Sequence, residues 1–347
     1  MKGFGSDNHA GVHPELFNAI INANRDHAPS YGTDELSDKA IKSFKKLFGL
    51  QTEVFFVFNG TAANVLALRF LTERHESILC SDVSHLNMDE CGAPEFFAGK
   101  LITLKHFQGK ISISDLKKSL IRRGDQHYCQ TKVVSLTQPT ELGTCYSLNE
   151  IKEIVDWAHS NKLYVHIDGA RLTNALIELQ CTYQEMTTDL GVDVVSFGGT
   201  KNGLMMGEAI LIINPELAQI SKQKLKYIRK QTAQLPSKTR FIAAQFSRYL
   251  HQDLYLRIAE HSCQMAQRLY DGLQDIAQVK ITAPRQSNAV FAIIPKEWVK
   301  QVKEKYFFYV WDEKTFECRI MTSWDTKPEE VDDFIQQLLQ ISKKSLN

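Results

Sequence analysis

Paired cysteines are missing. The 347 residues include seven cysteines, at 80, 91, 129, 145, 181, 263 and 318, an odd number with no CxxC spacing among them. A disulfide framework and a cysteine-based zinc site are therefore excluded as organising features. Each thiol is expected to be a reduced, buried bystander in a cytoplasmic protein. Long apolar runs are missing too: VFFVF at 54–58 is among the longest, far short of the ~20 residues that span a bilayer. The opening MKGFGSDNHAGVHP has no apolar stretch of the secretory type, so neither export nor a membrane partner is expected. Charge of one sign is lacking as well. Lys and Arg number 41 against 40 Asp and Glu, a formal net charge of +1, which gives no electrostatic case for a nucleic-acid partner. There is no internal repeat and no low-complexity stretch. What remains, 43% hydrophobic and 23% charged residues, is an ordinary globular composition. At about 100–200 residues per domain the length suggests two domains.

Short apolar runs alternate with longer helical patterns. Residues 34–48 predict an amphipathic helix, with Leu36, Ala40, Ile41, Phe44 and Phe48 near one face. Strands are predicted at 53–58, 77–82, 100–106, 132–138, 163–168, 193–199 and 209–214. A helix is expected after Asn59-Gly60-Thr61, another over 112–124 ending at Gly124, and another over 147–162, opened by the Ser147/Glu150 capping box. Strands apolar on both faces, separated by helices, predict an α/β fold with a mostly parallel sheet covered on both sides. From about residue 246 two long helical stretches flank two strand candidates, which predicts a smaller α+β domain. The expected division is an N-terminal arm (1–33), a large domain (34–245) and a small C-terminal domain (246–347).

In open α/β sheets ligands bind beyond the carboxyl ends of the strands, and three such places carry chemistry. Asn59-Gly60-Thr61 joins a strand to a helix. The unpaired N–H groups there could hold a phosphate, with Gly60 allowing close approach and Thr61 adding a hydroxyl; a plain N-cap turn is the alternative. Asp168, in HIDGAR, ends an apolar strand where a carboxylate is costly unless paired. It could keep a pyridinium nitrogen protonated; a structural pair with an arginine or a helix cap is the alternative. His166 shares its strand face, which admits a metal, but no HExxH or Cys/His cluster supports one, so no metal is expected. Lys201, in SFGGTKNG, lies in a glycine-rich loop after a strand. It could form a Schiff base with an aldehyde, and Thr200 could reach a phosphate; a solvated turn lysine is the alternative.

In this order and spacing, NGTAAN, HIDGAR and SFGGTKNG resemble the aspartate-aminotransferase-type (fold type I) pyridoxal-phosphate enzymes. More narrowly they resemble the low-specificity L-threonine aldolases of the aromatic β-eliminating lyase group, and the similarity runs through nearly the whole chain. The resemblance implies pyridoxal 5'-phosphate as cofactor, carried by Lys201, with Asp168 at its ring nitrogen and Gly60 and Thr61 at its phosphate. It implies that His85, in DVSH, stacks on the pyridine ring. It also implies that Ser6, Arg171 and Arg319 meet the substrate carboxylate. Tyr31 would lie near a neighbouring subunit's active site, and Lys230 and Arg240 would reach a partner's phosphate, in a homodimer or homotetramer with shared sites. One stretch departs from the family pattern. Gln138 stands where many of these enzymes carry a histidine, and a neutral amide can bond a substrate hydroxyl but cannot act as a base near neutral pH.

The reaction implied is retro-aldol cleavage of L-threonine, L-allo-threonine or a related β-hydroxy-α-amino acid to glycine and an aldehyde. His85, directly or through water, is the expected base for the β-hydroxyl. β-Elimination, desulfuration or transamination at the same lysine, and a non-catalytic scaffold, remain open at this point.

Overall fold

Seven of the predicted strands assemble into one sheet in a computed structural model that describes residues 3–345. They are β1 (Glu53–Val57), β2 (Glu76–Ser81), β3 (Lys100–Leu104), β4 (Gln130–Thr137), β5 (Tyr164–Gly169), β6 (Val194–Phe197) and β7 (Glu208–Ile212), in the order β1-β7-β6-β5-β4-β2-β3. Pairs β2/β3, β2/β4, β4/β5 and β5/β6 are parallel, whereas β7 runs antiparallel to both neighbours. The sheet is thus mostly parallel, as its two-sided apolar strands predict.

Each face has its own core. On one side Phe44, Phe48, Phe56, Phe197 and Phe246 pack with Tyr183 and Tyr249. On the other the sheet meets a helix that is apolar almost all round, Gly60–Leu71. Numbered along the chain, the first helices are α1 (Pro14–Ala23), α2 (Glu35–Phe48), α3 (Gly60–Leu71) and the single turn α4 (His85–Met88). Asp34 caps α2 by accepting from Ser37 N–H at 2.9 Å, and Asn59 caps α3 by accepting from Ala62 N–H at 2.9 Å. The helix predicted over 112–124 is shorter, Ile113–Ser119. The segment beyond it, Ile121 to Gly124, is held by turns instead: Gln130 takes Gly124 N–H at 2.8 Å, and Arg122 pairs with Asp125 at 2.8 Å.

A second sheet is antiparallel, in the order β10-β11-β9-β8, from β8 (Lys280–Ile281), β9 (Ala289–Ile293), β10 (Tyr309–Asp312) and β11 (Glu317–Met321). It packs with the long helices Leu254–Gln274 and Pro328–Ser345 around a separate core. The chain's beginning joins this core. Phe4 is buried there, donates its N–H to Phe307 O at 2.7 Å and accepts from Met321 N–H at 2.8 Å. That anchor delivers the next few residues to the mouth of the large sheet.

Candidate active site

The carboxyl ends of β4, β5 and β6 stand side by side, with Thr137 opposite Asp168 and Asp168 opposite Ser196. Above them lies a cavity of about 310 Å³. Among its lining residues are Gly60, Thr61, His85, Asp168, Thr200 and Lys201, together with Arg171. Three pieces far apart in sequence therefore converge at one place.

Gly60 is the first residue of α3, and a Cβ built on it would meet nothing within 4 Å. Open space in front of the first N–H groups of a helix suits an anion. The Lys201 loop is held from below. Glu208 accepts Gly199 N–H at 2.6 Å, and burial pushes its carboxyl up to about 7. Gly198 is needed for sterics, since a Cβ there would sit 2.1 Å from Ala170 O. Lys201 itself is enclosed. The neighbouring Arg171 charge, followed by burial, holds its ammonium below the ordinary lysine range. Among the described residues no hydrogen bond or ion pair engages that ammonium.

Asp168 is buried and has two partners. Its Oδ1 accepts Ala170 N–H at 3.1 Å, and its Oδ2 accepts from Asn64 Nδ2 at 2.8 Å. Asn64 Nδ2 also donates to Glu90 Oε1 at 2.8 Å, and that oxygen lies 2.8 Å from His85 Nδ1. A chain Asp168–Asn64–Glu90–His85 thus lines one wall. The hydrogen bond that its imidazole donates to Glu90 raises His85, against burial. Burial in turn raises Glu90, against its bonds to His85 and Asn64. His85, Glu90 and Asp168 offer ligand atoms within 4.8 Å of one another, but the Asn64 bridge already satisfies two of the three. His166 is fully buried between Ser135 Oγ (2.9 Å) and Ser196 Oγ (2.8 Å), and burial lowers it to about 4.

Several expected site residues lie elsewhere. Gln138 is buried away from the cavity. Its Nε2 donates to Tyr146 O at 2.9 Å and its Oε1 accepts Tyr146 N–H at 2.9 Å, so its amide is used by backbone and cannot meet a substrate. Ser6 does not line the cavity; its hydroxyl oxygen caps the 3-10 turn Asp7–His9, accepting Asn8 N–H at 3.2 Å, and Asn8 is the residue that reaches the cavity. Arg319 does not line the cavity: its Nη2 donates to Gly5 O at 3.2 Å, its charge lies over Trp311 at 4.8 Å, and its Nε is buried without a hydrogen-bond partner. Tyr31, Lys230 and Arg240 are outside the cavity of this chain. Tyr31 is exposed with Lys230 5.4 Å above its ring, and Arg240 donates to Asp26 O at 3.1 Å. A single chain offers these three no ligand.

Other residues were given no role by motif reasoning. Asp7 takes Arg171 in a two-point ion pair. Asn64 and Glu90 build the wall just described. Glu141, four residues past Thr137, also faces the cavity. Asn64 carried a sequence signal, as the end of NGTAAN and a polar residue in a largely apolar helix.

The beta-eliminating lyase model matches residues 3–296. The chain belongs to that family. It is 39% identical to the low specificity L-threonine aldolase of Pseudomonas aeruginosa over 338 residues, 96% of each chain. It is 40% identical to the enzyme of the same name from a Pseudomonas strain, over 93% of each chain. A solved Leishmania major threonine aldolase superposes with a TM-score of 0.93 at 26% identity, covering 99% of this chain and 100% of that one. An aromatic aminotransferase from Pyrococcus horikoshii, with a TM-score of 0.71 at 14% identity, shares the fold alone.

Pyridoxal phosphate is the cofactor of this family, and the chain's own residues fit it. An unengaged lysine below its ordinary pKa, a buried carboxylate and an open helix N-terminus surround one cavity. Asn64 Oδ1 and Glu90 Oε2 on the wall are buried and unpartnered. Buried polar atoms rarely stay so unless a polar group completes the site.

Proposed function

We propose that this chain is a pyridoxal-phosphate-dependent aldehyde-lyase that cleaves L-threonine, L-allo-threonine or a related β-hydroxy-α-amino acid to glycine and an aldehyde. The observation that carries this is the meeting of Lys201, Asp168 and the start of α3 at one cavity, in a chain aligned along 96% of its length with an L-threonine aldolase.

When bound, the cofactor supplies an electron sink for the pair released as Cα–Cβ breaks. Lys201 would hold its aldehyde carbon. The lowered pKa shifts the lysine towards the neutral amine that such bonding requires. Asp168 would keep the ring nitrogen protonated, and the Asn64 bond fixes its carboxylate for that purpose. The N–H groups of Gly60 and Thr61, with the Thr200 loop, would hold the phosphate. Arg171 lines the cavity while Asp7 grips its Nε edge. That leaves Nη1 for the substrate carboxylate, with Arg319 adding positive charge behind it. His85, locked by Glu90, supplies a flat wall.

Tyr31, Lys230 and Arg240 sit on the surface and would complete a neighbour's cavity in a homodimer or homotetramer. The exposed Tyr31, capped by Lys230, favours that arrangement. A cytoplasmic site fits the seven unpaired thiols.

Borohydride reduction of the yellow holoprotein, followed by peptide mapping, tests the cofactor assignment. The label is expected on Lys201, and a label elsewhere contradicts it. Aldehyde release from a panel of β-hydroxy amino acids tests the reaction.

A further inference from the structure

Gln138 is spent on Tyr146, so it takes no part in moving the β-hydroxyl proton. His85 Nδ1 is engaged by Glu90 Oε1 at 2.8 Å, and that bond raises its pKa, which disfavours the neutral imidazole a base requires. The turn after β4 holds another group. Thr140 and Thr144 close it, with their hydroxyls 2.7 Å apart and Gly143 N–H on Thr140 O at 2.9 Å. This turn delivers Glu141 to the cavity, where it stands among the lining residues with Asp168, Arg171, His85 and Lys201. One carboxylate oxygen is anchored: Oε1 accepts His85 N–H at 2.8 Å and Thr137 Oγ1–H at 2.8 Å. The other, Oε2, is enclosed and has no hydrogen-bond partner. A carboxylate fixed at one oxygen and unsatisfied at the other, inside a substrate-sized cavity, is built to receive one proton.

We propose that Glu141 is the general base of the cleavage, taking the substrate's β-hydroxyl proton on Oε2. This rests on the threonine-aldolase activity proposed above. The O–H bond breaks as the proton moves to Glu141, and the oxygen's electron pair becomes the second bond of the aldehyde carbonyl. Cα–Cβ breaks, and the cofactor that Lys201 and Asp168 would hold would supply the sink for its pair. Cα then gains one proton, which balances the one Glu141 took. L-Threonine thus yields glycine and acetaldehyde with no added oxidant, reductant or water.

The surroundings poise the group. Burial pushes the Glu141 carboxyl up to about 7, and the Asp168 charge acts in the same direction. Arg171 and Lys201 line the same cavity as opposing charges, and His85, Cys80 and Tyr146 are further titratable neighbours. A base must be ionised to act, so kcat/KM for L-threonine should rise with pH through about 7.

The experiment compares Glu141→Gln with wild type in two reactions of the holoenzyme: cleavage of L-threonine, and solvent deuterium exchange at Cα of glycine, which needs no hydroxyl base. The expected result is a loss of about 10²–10⁴-fold in cleavage, while exchange stays within about 3-fold. The acid limb near neutrality should vanish from the residual cleavage. Equal losses in both reactions would make Glu141 structural and overturn the proposal. Cleavage within about 3-fold of wild type, with the limb intact, would overturn it as well. If Glu141→Gln does not fold, wild type and His85→Asn decide. An acid limb in cleavage that is absent from glycine exchange and persists in His85→Asn supports Glu141. A limb shared by both reactions, or lost with His85, overturns it. Wild type that exchanges glycine but releases no aldehyde from any β-hydroxy amino acid would instead overturn the aldolase activity itself, and the proposal with it.

Discussion

Asp7 and Arg171, 164 residues apart in sequence, form a two-point ion pair, with Nε 2.5 Å from Oδ2 and Nη2 2.9 Å from Oδ1. Asn288 Nδ2 adds a third bond to Asp7 at 3.1 Å. Burial alone would raise the Asp7 carboxyl, but the Arg171 charge and hydrogen bonds outweigh it and hold it below the usual range. The pair ties the chain's beginning, the end of β5 and the small domain together at the mouth of the cavity. Removing one partner of a buried pair strands the other charge, so Asp7→Asn should cost about 3–5 kcal/mol of stability in the apoprotein. It should also raise KM for L-threonine, because Arg171 is no longer aimed. Urea unfolding and steady-state kinetics check both; unchanged KM with lowered stability would make the pair purely structural.

Asn64 keeps two carboxylates apart by donating to both. Asn64→Leu preserves the volume but removes one partner from each, leaving Asp168 with Ala170 N–H alone and Glu90 with His85 alone. The apoprotein should lose about 1–3 kcal/mol, and the cofactor should bind about tenfold more weakly or worse. Titration of apoprotein with pyridoxal phosphate, followed by absorbance, reads the second effect.

Gly60 separates fold from phosphate binding. Its missing Cβ faces open space, so Gly60→Ala should leave apoprotein stability within about 0.5 kcal/mol or improve it. Cofactor affinity should fall, because the methyl group would occupy room at the helix start. Equal affinity in the two proteins would argue that the phosphate sits elsewhere.

His166 predicts a pH dependence of stability. Burial lowers its folded pKa to about 4 from 6.5, so the unfolded chain binds more protons between those values. Stability is therefore unaffected by this group above pH 6.5 and falls as pH drops towards 4. The full loss is about 3 kcal/mol. His166→Gln should flatten that slope in urea midpoints measured at several pH values.

Strand and helix placement was largely legible because burial on both sheet faces leaves continuous apolar runs, as in β1 and β7. The three loop motifs that meet at the cavity were legible because glycine, aspartate and lysine carry recognisable demands after strands. Long-range polar partners were not. Asp7 looks like any residue of a polar N-terminal stretch until Phe4 is seated beneath the second sheet. Gln138 and Glu141 lie three residues apart, and sequence alone gave Gln138 the site position. The turn reverses this, burying the amide against Tyr146 and turning the carboxylate into the cavity. Tyr31, Lys230 and Arg240 could not be placed by one chain, because the partners implied for them belong to another.

The most direct measurement of the central claim is the product ratio from L-threonine with the holoprotein, beside Lys201→Ala. Glycine and acetaldehyde should form one to one in wild type, with neither formed by the variant. Ammonia and 2-oxobutanoate in their place, or products that persist without Lys201, would contradict it.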